Sequence, residues 1–434
     1  MTRRLSSLYF LQFGIWGCYL VSMGQFLGGA GLGDMIPWFY AMAGFAALVM
    51  PLLAGYIADR HTGPVRLLAV CHALSATAMA GLFAYALGHP RPDGAATLAL
   101  FGAATAFYTP TLPLCNATAL AALRRSGADT TKLFPRTRLW GTVGFVAMMW
   151  MVNTVWIVPG EGIGICFGGD STHAMDRMQY TCWQLGAAAL LGFVTAAYAL
   201  LMPHQRPAAT YDSPISLRTM LKILRKGNLG MFFLFAMLIG VAQQINNGYA
   251  TPYITHYRAL EGFVGTFGAD NATLLMSLSQ ISEVLWMLCV GAVMARAGVK
   301  VTMLMAMVAW SLNFLCFALG DPGSGLWVLA GGMIVYGVAF DFNTVAASLF
   351  VEREVSEGSK ATAQCLLVMM GRGVGASAGM FAAGAVVNCF CRWTVTPGGR
   401  YLMGDWLPVW LIFAAYCAVV AVAFAVFFRS SPAK

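Results

Sequence analysis

Charge is what this sequence has least of: 17 Asp and Glu and 26 Lys and Arg in 434 residues, 10% of the chain, against about 25% in soluble domains. With 59% hydrophobic residues and a mean hydropathy of +0.71, that scarcity excludes a soluble enzyme carrying one anchor. No connection between apolar runs is long enough to build a core of its own, which argues against a membrane sensor with a soluble domain. No P-loop, Cys/His cluster or CxxC pair occurs. ATP-driven transport and hydrolase chemistry therefore lack support, and no metal or cofactor is expected. Eleven cysteines do not make a disulfide scaffold in so apolar a chain; most are expected as small core residues. Cys166 and Cys182 bracket one outward loop and form a bridge only if that side is oxidising. A cleavable signal peptide is not expected either, because the first apolar run is long and lacks a small-residue cleavage site.

What is abundant is hydrophobic length. About 20 apolar residues cross a bilayer as a helix. Windows of that kind lie near 5–30, 36–58, 65–88, 95–123, 138–158, 183–202, 229–255, 271–295, 301–320, 325–349, 362–388 and 406–428. The expectation is an all-α membrane protein of twelve transmembrane helices in two six-helix halves, 1–202 and 229–434, joined by a cytoplasmic linker, 203–228. With the N-terminus inside, nineteen Lys and Arg fall in the cytoplasmic loops and tails, five in the opposite loops and two, Arg138 and Arg372, within spans. That bias follows the positive-inside rule, so both termini are expected in the cytoplasm. The net charge of +9 thus reports topology rather than nucleic-acid binding. In the linker, Ile215 to Leu224 is amphipathic; a solvated segment held near anionic lipid is favoured over a helix lying on the membrane.

The halves echo each other. After span two comes GYIADRHTGPVR, with Gly55, Asp59, Arg60, Gly63 and Arg66; after span eight comes GAVMARAGVK, with Gly291, Arg296, Gly298 and Lys300. The first resembles the G-x-x-x-D-R-x-x-G motif of the major facilitator superfamily. Glycine there would allow close helix approach, and Asp59 would pair with a cation or cap a neighbouring helix, latching the cytoplasmic side. The plainer alternative is an interfacial turn with snorkelling charges. Pro110 and Pro113 interrupt span four and free backbone groups that need partners in the bundle. Gly371, Gly373, Gly375 and Gly379 of span eleven are expected to serve close packing rather than ligand contact.

Polar residues in the spans are rare, and they come in pairs three or four apart, which puts both members on one helix face. Gln244 and Asn247 share a face of span seven, Gln280 and Glu283 of span eight, Arg138 and Thr142 of span five, and Tyr336 and Phe340 of span ten. Amides suit a neutral ligand rich in hydroxyls and carbonyls, and the aromatic pair suits a flat ring. Each pair alone also fits helix–helix hydrogen bonding or ordinary core packing. Glu283 and Asp341 carry the sharper signal, since a charge at mid-bilayer costs about 2.5–3.5 kcal/mol on insertion scales. Burial favours the neutral form of a carboxyl, so Asp341 is read as a proton carrier and Glu283 as a ligand contact able to share that role. Arg372 is a candidate partner for Asp341. His72 and His61 are too isolated to argue a metal site.

The strings FLQFGIWGCYL, MPLLAGYIADR, RLWGTVGF, MSLSQISE, MIVYGVAFDF and FVEREVS resemble the nucleoside:proton symporters of the major facilitator superfamily, in order and from first span to last. The resemblance implies alternating-access uptake of nucleosides across a bacterial inner membrane, driven by protons. Its partners would be a nucleoside, a proton and the lipid bilayer, with a monomer as the working unit. Its binding residues fall on Arg138, Thr142, Gln244, Asn247, Gln280, Glu283, Tyr336, Phe340 and Asp341. The chain departs from the pattern in a long outward loop between spans five and six, in Asn343 and Thr344, and in Arg372, where an uncharged polar residue is expected. A permease for another polar solute, a sugar or a nucleobase, is the alternative reading.

Overall fold

The structure, a computed structural model, describes residues 2–127, 130–168, 172–203, 217–355, 360–396 and 398–429. The chain separates into two compact units, Met1–Asp212 with Asp270–Leu274, and Ser213–Ala269 with Leu275–Lys434. In the first lie α1 (Thr2–Tyr19), α2 (Met23–Gly29), α3 (Ile36–Ile57), α4 (Pro64–Gly88), α5 (Gly94–Tyr108), α6 (Thr111–Arg125), α7 (Thr130–Thr154) and α8 (Trp183–Leu200). The remainder comprises α9 (Leu217–Leu224), α10 (Gly227–His256), α11 (Phe267–Asp270), α12 (Ala272–Leu319), α13 (Leu326–Glu354), α14 (Lys360–Val368), α15 (Ala376–Phe390) and α16 (Trp406–Phe427).

Among the described residues, ten helices are long and apolar enough to cross a membrane. Two expected spans do not stand separately among these ten. α7 opens on the polar string TTKLFPRTR, which dilutes its apolar run. The windows 271–295 and 301–320 form one 48-residue run, α12, broken only at Gly298, whose φ of 74° and ψ of 171° leave the helical region. Gly63, at the corresponding place in the first half, has φ 77° and ψ 156°. Both echo motifs thus end in the same glycine-only conformation, and that shared turn is what the repeat preserves.

Glycine also sets helix approach in each unit. A Cβ on Gly17 of α1 would run into the Phe145 backbone of α7, and one on Gly144 into the Phe10 backbone. The strings FGIWG and GTVGF are therefore two halves of one close crossing, in which backbones meet because no side chain intervenes. In the second unit, Gly240 of α10 meets the Gly371 backbone, Gly375 meets the Met237 backbone and Gly379 meets the Val241 side chain. Close packing is what Gly371, Gly375 and Gly379 of span eleven do. Gly55 behaves otherwise: a Cβ there would meet nothing within 4 Å, so the expected close approach at this position is absent.

Two hairpins add strand to the expected helices. β1 (Val155–Val158) pairs antiparallel with β2 (Gly162–Ile165), and β3 (Cys391–Thr396) with β4 (Gly399–Gly404). Both occupy connections long enough to fold back, and the first turns at Gly160 and Gly162, both with positive φ. Arg177, counted above as a loop cation, is fully buried in the first unit. It donates to the carbonyls of Ala174 (2.9 Å), Asn153 (3.1 Å) and Asp270 (2.6 Å) and to Asn271 Oδ1 (3.1 Å). Cys166 and Cys182 are both free thiols, and Gly168 N–H donates to Cys166 Sγ at 3.2 Å. The linker helix α9 buries Met220 and Ile223, so its apolar side is packed against protein rather than left solvated.

Candidate functional site

The C-terminal unit gathers five of the expected residues around one phenol. α12 and α13 approach closely at Gly337, where a Cβ would lie 2.5 Å from Ser282 Oγ and 2.7 Å from the Ser282 carbonyl. Ser282 Oγ donates to the Ile334 carbonyl, and Trp286 Nε1 donates to the same carbonyl at 3.2 Å. This clamp fixes the register of the two helices. It sets Gln280 and Glu283, either side of Ser282, against Tyr336, Phe340 and Asp341, either side of Gly337.

Tyr336 is 1% exposed. Its ring lies nearly parallel to Phe340, with an 8° interplanar angle and centroids 6.0 Å apart, and edge-on to Trp310 at 5.4 Å. Its side chain hydrogen-bonds Gln280 and Gln243, and Glu283 and Asp341 both act on it electrostatically. A phenol offers one donor and accepts through its lone pairs, so two glutamines can occupy it together. Asp341 is buried at 1% exposure, one residue further round the helix from Phe340.

Gln244 and Asn247 share a face of α10 as expected, and Asn247 Nδ2 donates to Gln244 Oε1 at 3.3 Å. Gln243 was missed. The doubled glutamine in VAQQINN is its one signal, and spacing favours neither member, since Gln243 stands four residues from Asn247 and Gln244 three. Arg372 lies in a π-helical segment, Met369–Gly375, that joins α14 to α15, with its guanidinium carbon 5.9 Å from the Phe340 ring centroid. Irregular turns of this kind inside a helix frequently mark functional positions.

Arg138 and Thr142 belong to the N-terminal unit and are held by the α1–α7 crossing. Arg138 acts electrostatically on Tyr9 and Cys115, and Tyr9 donates to Asn116 Oδ1 at 2.7 Å. Deeper in this unit is a polar network that periodicity did not reveal. His72 Nε2 meets Gln12 Oε1 at 2.7 Å, Gln12 Nε2 donates to Thr111 Oγ1 at 2.7 Å, and Thr111 Oγ1 donates to the Tyr108 carbonyl at 2.6 Å. Thr111 spends its proton on Tyr108, so it accepts from the Gln12 amide, and Gln12 then presents its oxygen to His72. The network gives the Tyr108 carbonyl, beside the Pro110 break, a side-chain partner. His72 is structural, and no group of metal-ligating side chains occurs among the described residues.

In the expected gating motif, Gly55 lies in the last turn of α3 and Gly63 makes the turn, while the backbone of Asp59 and Arg60 forms a π turn, Ala58–Thr62. The side chains of Asp59 and Arg60 lie outside the described ones. The string Gly375-Ala376-Ser377-Ala378-Gly379 has the spacing of a hydrolase nucleophile elbow. It runs through the start of α15 with Ser377 buried, without the strand-to-helix turn that exposes such a serine.

Comparison with known proteins agrees over the whole chain. The nucleoside permease NupG of Escherichia coli (strain K12) is 33% identical over 440 residues, 98% of this chain and 95% of that protein. The xanthosine permease of the same organism is 33% identical over 433 residues, 97% and 94% of the two chains. The crystal structure of the nucleoside transporter NupG superposes with a TM-score of 0.82 at 31% identity, covering 99% of each chain. The family model described as nucleoside H+ symporter matches residues 1–433, and this chain belongs to that family.

Proposed function

We propose that the protein carries nucleosides into the cell together with protons, by alternating access across the cytoplasmic membrane. In this reading twelve helices in two six-helix halves span the membrane with both termini inside, α7 and the two arms of α12 making up the count. The observation that carries it is the convergence on Tyr336. Two amides, two carboxylates and a parallel aromatic pair meet at one hydroxyl in a chain with only 10% charged residues. That set offers hydrogen bonds to ribose hydroxyls, a flat face to a base, and carboxyls able to take a proton in a low-dielectric setting. Gln244, Asn247, Gln280, Glu283, Tyr336 and Phe340 are assigned to the ligand, as are Arg138 and Thr142. Asp341 is assigned to the proton, with Glu283 as the second carboxyl.

Uptake of labelled uridine and adenosine into proteoliposomes, with and without an inward proton gradient, tests the whole. Accumulation above the external concentration only with the gradient is expected. Gradient-independent uptake, or competition by glucose or xylose equal to that by uridine, overturns it.

A further inference from the structure

We infer that Asn116 reads the base of the substrate, turning its N–H donors on a carbonyl oxygen, and gives this transporter a preference for uridine over cytidine. The inference rests on the nucleoside reading above. Asn116 lies on α6 in the N-terminal unit, the unit in which Arg138 and Thr142 are assigned to the ligand. On α1 of the same unit, Tyr9, Phe13 and Trp16 stand four and three residues apart and so share one face. Tyr9 stacks on Phe13 with ring centroids 6.3 Å apart, and Phe13 meets Trp16 edge-on at 6.1 Å. The Phe13 ring is also set against α7, since a Cβ on Gly141 would lie 2.7 Å from it. Tyr9 is fully buried, whereas Phe13 and Trp16 keep part of their surface uncovered.

Tyr9 joins this face to α6 and α7. Its hydroxyl donates to Asn116 Oδ1 at 2.7 Å, and Arg138 of α7 acts electrostatically on the same hydroxyl. Asn116 is half-buried, and among the described residues Tyr9 is the one hydrogen-bond partner of its side chain. An amide has one oxygen and two N–H donors. With the oxygen engaged by the phenol, the free end of Asn116 is its N–H2, and the Arg138 guanidinium is likewise purely a donor. Asn116 stands within the apolar run Gly94–Arg125, where an unmet donor costs free energy that a ligand acceptor would recover. Ribose hydroxyls donate as well as accept, and the carboxyls that suit them, Glu283 and Asp341, belong to the other unit. A base carbonyl only accepts, which matches a set made of donors. Uracil carries an oxygen at position 4 where cytosine carries an amino donor. Uridine would gain a bond from Asn116, while cytidine would set a donor against a donor.

The test is competition against labelled uridine uptake in proteoliposomes by uridine, its 4-deoxy analogue and cytidine, with wild type, Asn116→Ala and Tyr9→Phe. In wild type, uridine should compete about tenfold better than cytidine, the effect of one bond made or left unpaired. The 4-deoxy analogue, which loses the acceptor without adding a donor, should fall between them. Asn116→Ala should bring all three close together. Tyr9→Phe keeps the amide but frees it to turn its oxygen to the ligand, so it too should erase the preference; Tyr9 is a positioning residue. If Asn116 only ties α6 to α1, both changes lower uptake of all three alike and leave the ratios intact, which overturns the proposal. Where a variant transports too slowly to read, equilibrium binding of the same three nucleosides to purified protein gives the ratios. Should neither variant fold, wild type decides alone: equal competition by uridine, its 4-deoxy analogue and cytidine overturns it. Absence of any saturable uridine uptake would instead strike the transport reading itself.

Discussion

Gly337→Ala is the sharpest test of how the C-terminal cluster is held together. The added methyl would sit 2.5 Å from Ser282 Oγ and 2.7 Å from both the carbonyl carbon and oxygen of Ser282. Two of these three atoms are backbone, so no rotamer change relieves the clash and α12 and α13 must move apart. Overpacking of this kind costs about 1–3 kcal/mol. Separation also weakens the bonds from Ser282 and Trp286 to the Ile334 carbonyl, each worth about 1 kcal/mol. The expected loss is therefore on the order of 2–4 kcal/mol of stability. Because Gln280 and Glu283 ride on the displaced helix, ligand affinity falls with it, since binding sites tolerate only about 0.5 Å of misplacement.

Gly331→Ala is the matched control. It lies on the same helix, and a Cβ there would meet nothing within 4 Å. Removing a glycine from a helix interior gains about 0.5–1 kcal/mol, so this variant should be neutral or slightly stabilised. Thermal unfolding of detergent-purified protein and equilibrium uridine binding read both quantities. A Gly337→Ala protein with wild-type unfolding temperature and affinity would refute the clamp.

Further outcomes follow from the same geometry. Gln243→Ala should weaken nucleoside binding about as much as Gln280→Ala, by roughly 1–3 kcal/mol for an unpaired partner, in purified and monodisperse protein; normal binding would remove Gln243 from the site. Asp341→Asn should keep substrate exchange and lose accumulation driven by a pH gradient, and full gradient-driven uptake would shift the proton to Glu283. Gln12→Leu takes the partner of His72 Nε2 away and leaves Thr111 Oγ1 with only its bond to the Tyr108 carbonyl, and should lower the unfolding temperature while leaving substrate selectivity untouched. Burial, with Asp405 adding to it, pushes the Cys391 thiol up to about 12. Raised above its ordinary value, that thiol stays protonated from neutral pH to about 11, so peptide mapping after maleimide treatment at pH 7 should find Cys391 unmodified.

How much of this was legible in the sequence depended on whether a residue acts along its own helix or across to another. Gln244 with Asn247 and Tyr336 with Phe340 are neighbours on single helices, where the 3.6-residue repeat fixes who shares a face. Both pairs stand as expected. Gly63 and Gly298 were visible as an echo because the turn they make requires glycine, and the requirement is local. Gln243, by contrast, is selected by Tyr336 on another helix, and no spacing within VAQQINN distinguishes it from Gln244. The His72–Gln12–Thr111 network draws on three helices and was read as an isolated histidine. Arg177 looked like any loop cation until the chain wrapped it in carbonyls. The two expected spans within α12 stand as two helical arms that meet at Gly298, where the turn costs one residue rather than a loop.

The arrangement around Tyr336 bears on why a proton and a nucleoside should travel together. The hydroxyl is hydrogen-bonded by Gln243 and Gln280 and lies within the influence of Glu283 and Asp341, so neither carboxyl can change charge without altering the preferred orientation of that bond network. A ligand hydroxyl that recruits Gln280 must in turn release it from Tyr336. On the proposed assignment, protonation and ligand binding would act on the same few hydrogen bonds. Linkage makes the effect reciprocal: by whatever factor protonation tightens substrate binding, substrate tightens proton binding by the same factor. Interactions between buried groups of this kind amount to about 1–3 kcal/mol, which corresponds to roughly 5–150-fold. Separate carboxyl and ligand sites would need a bistable element to communicate. In the proposed site the shared hydroxyl would do so directly, with the clamp at Gly337 keeping the partners within reach of it.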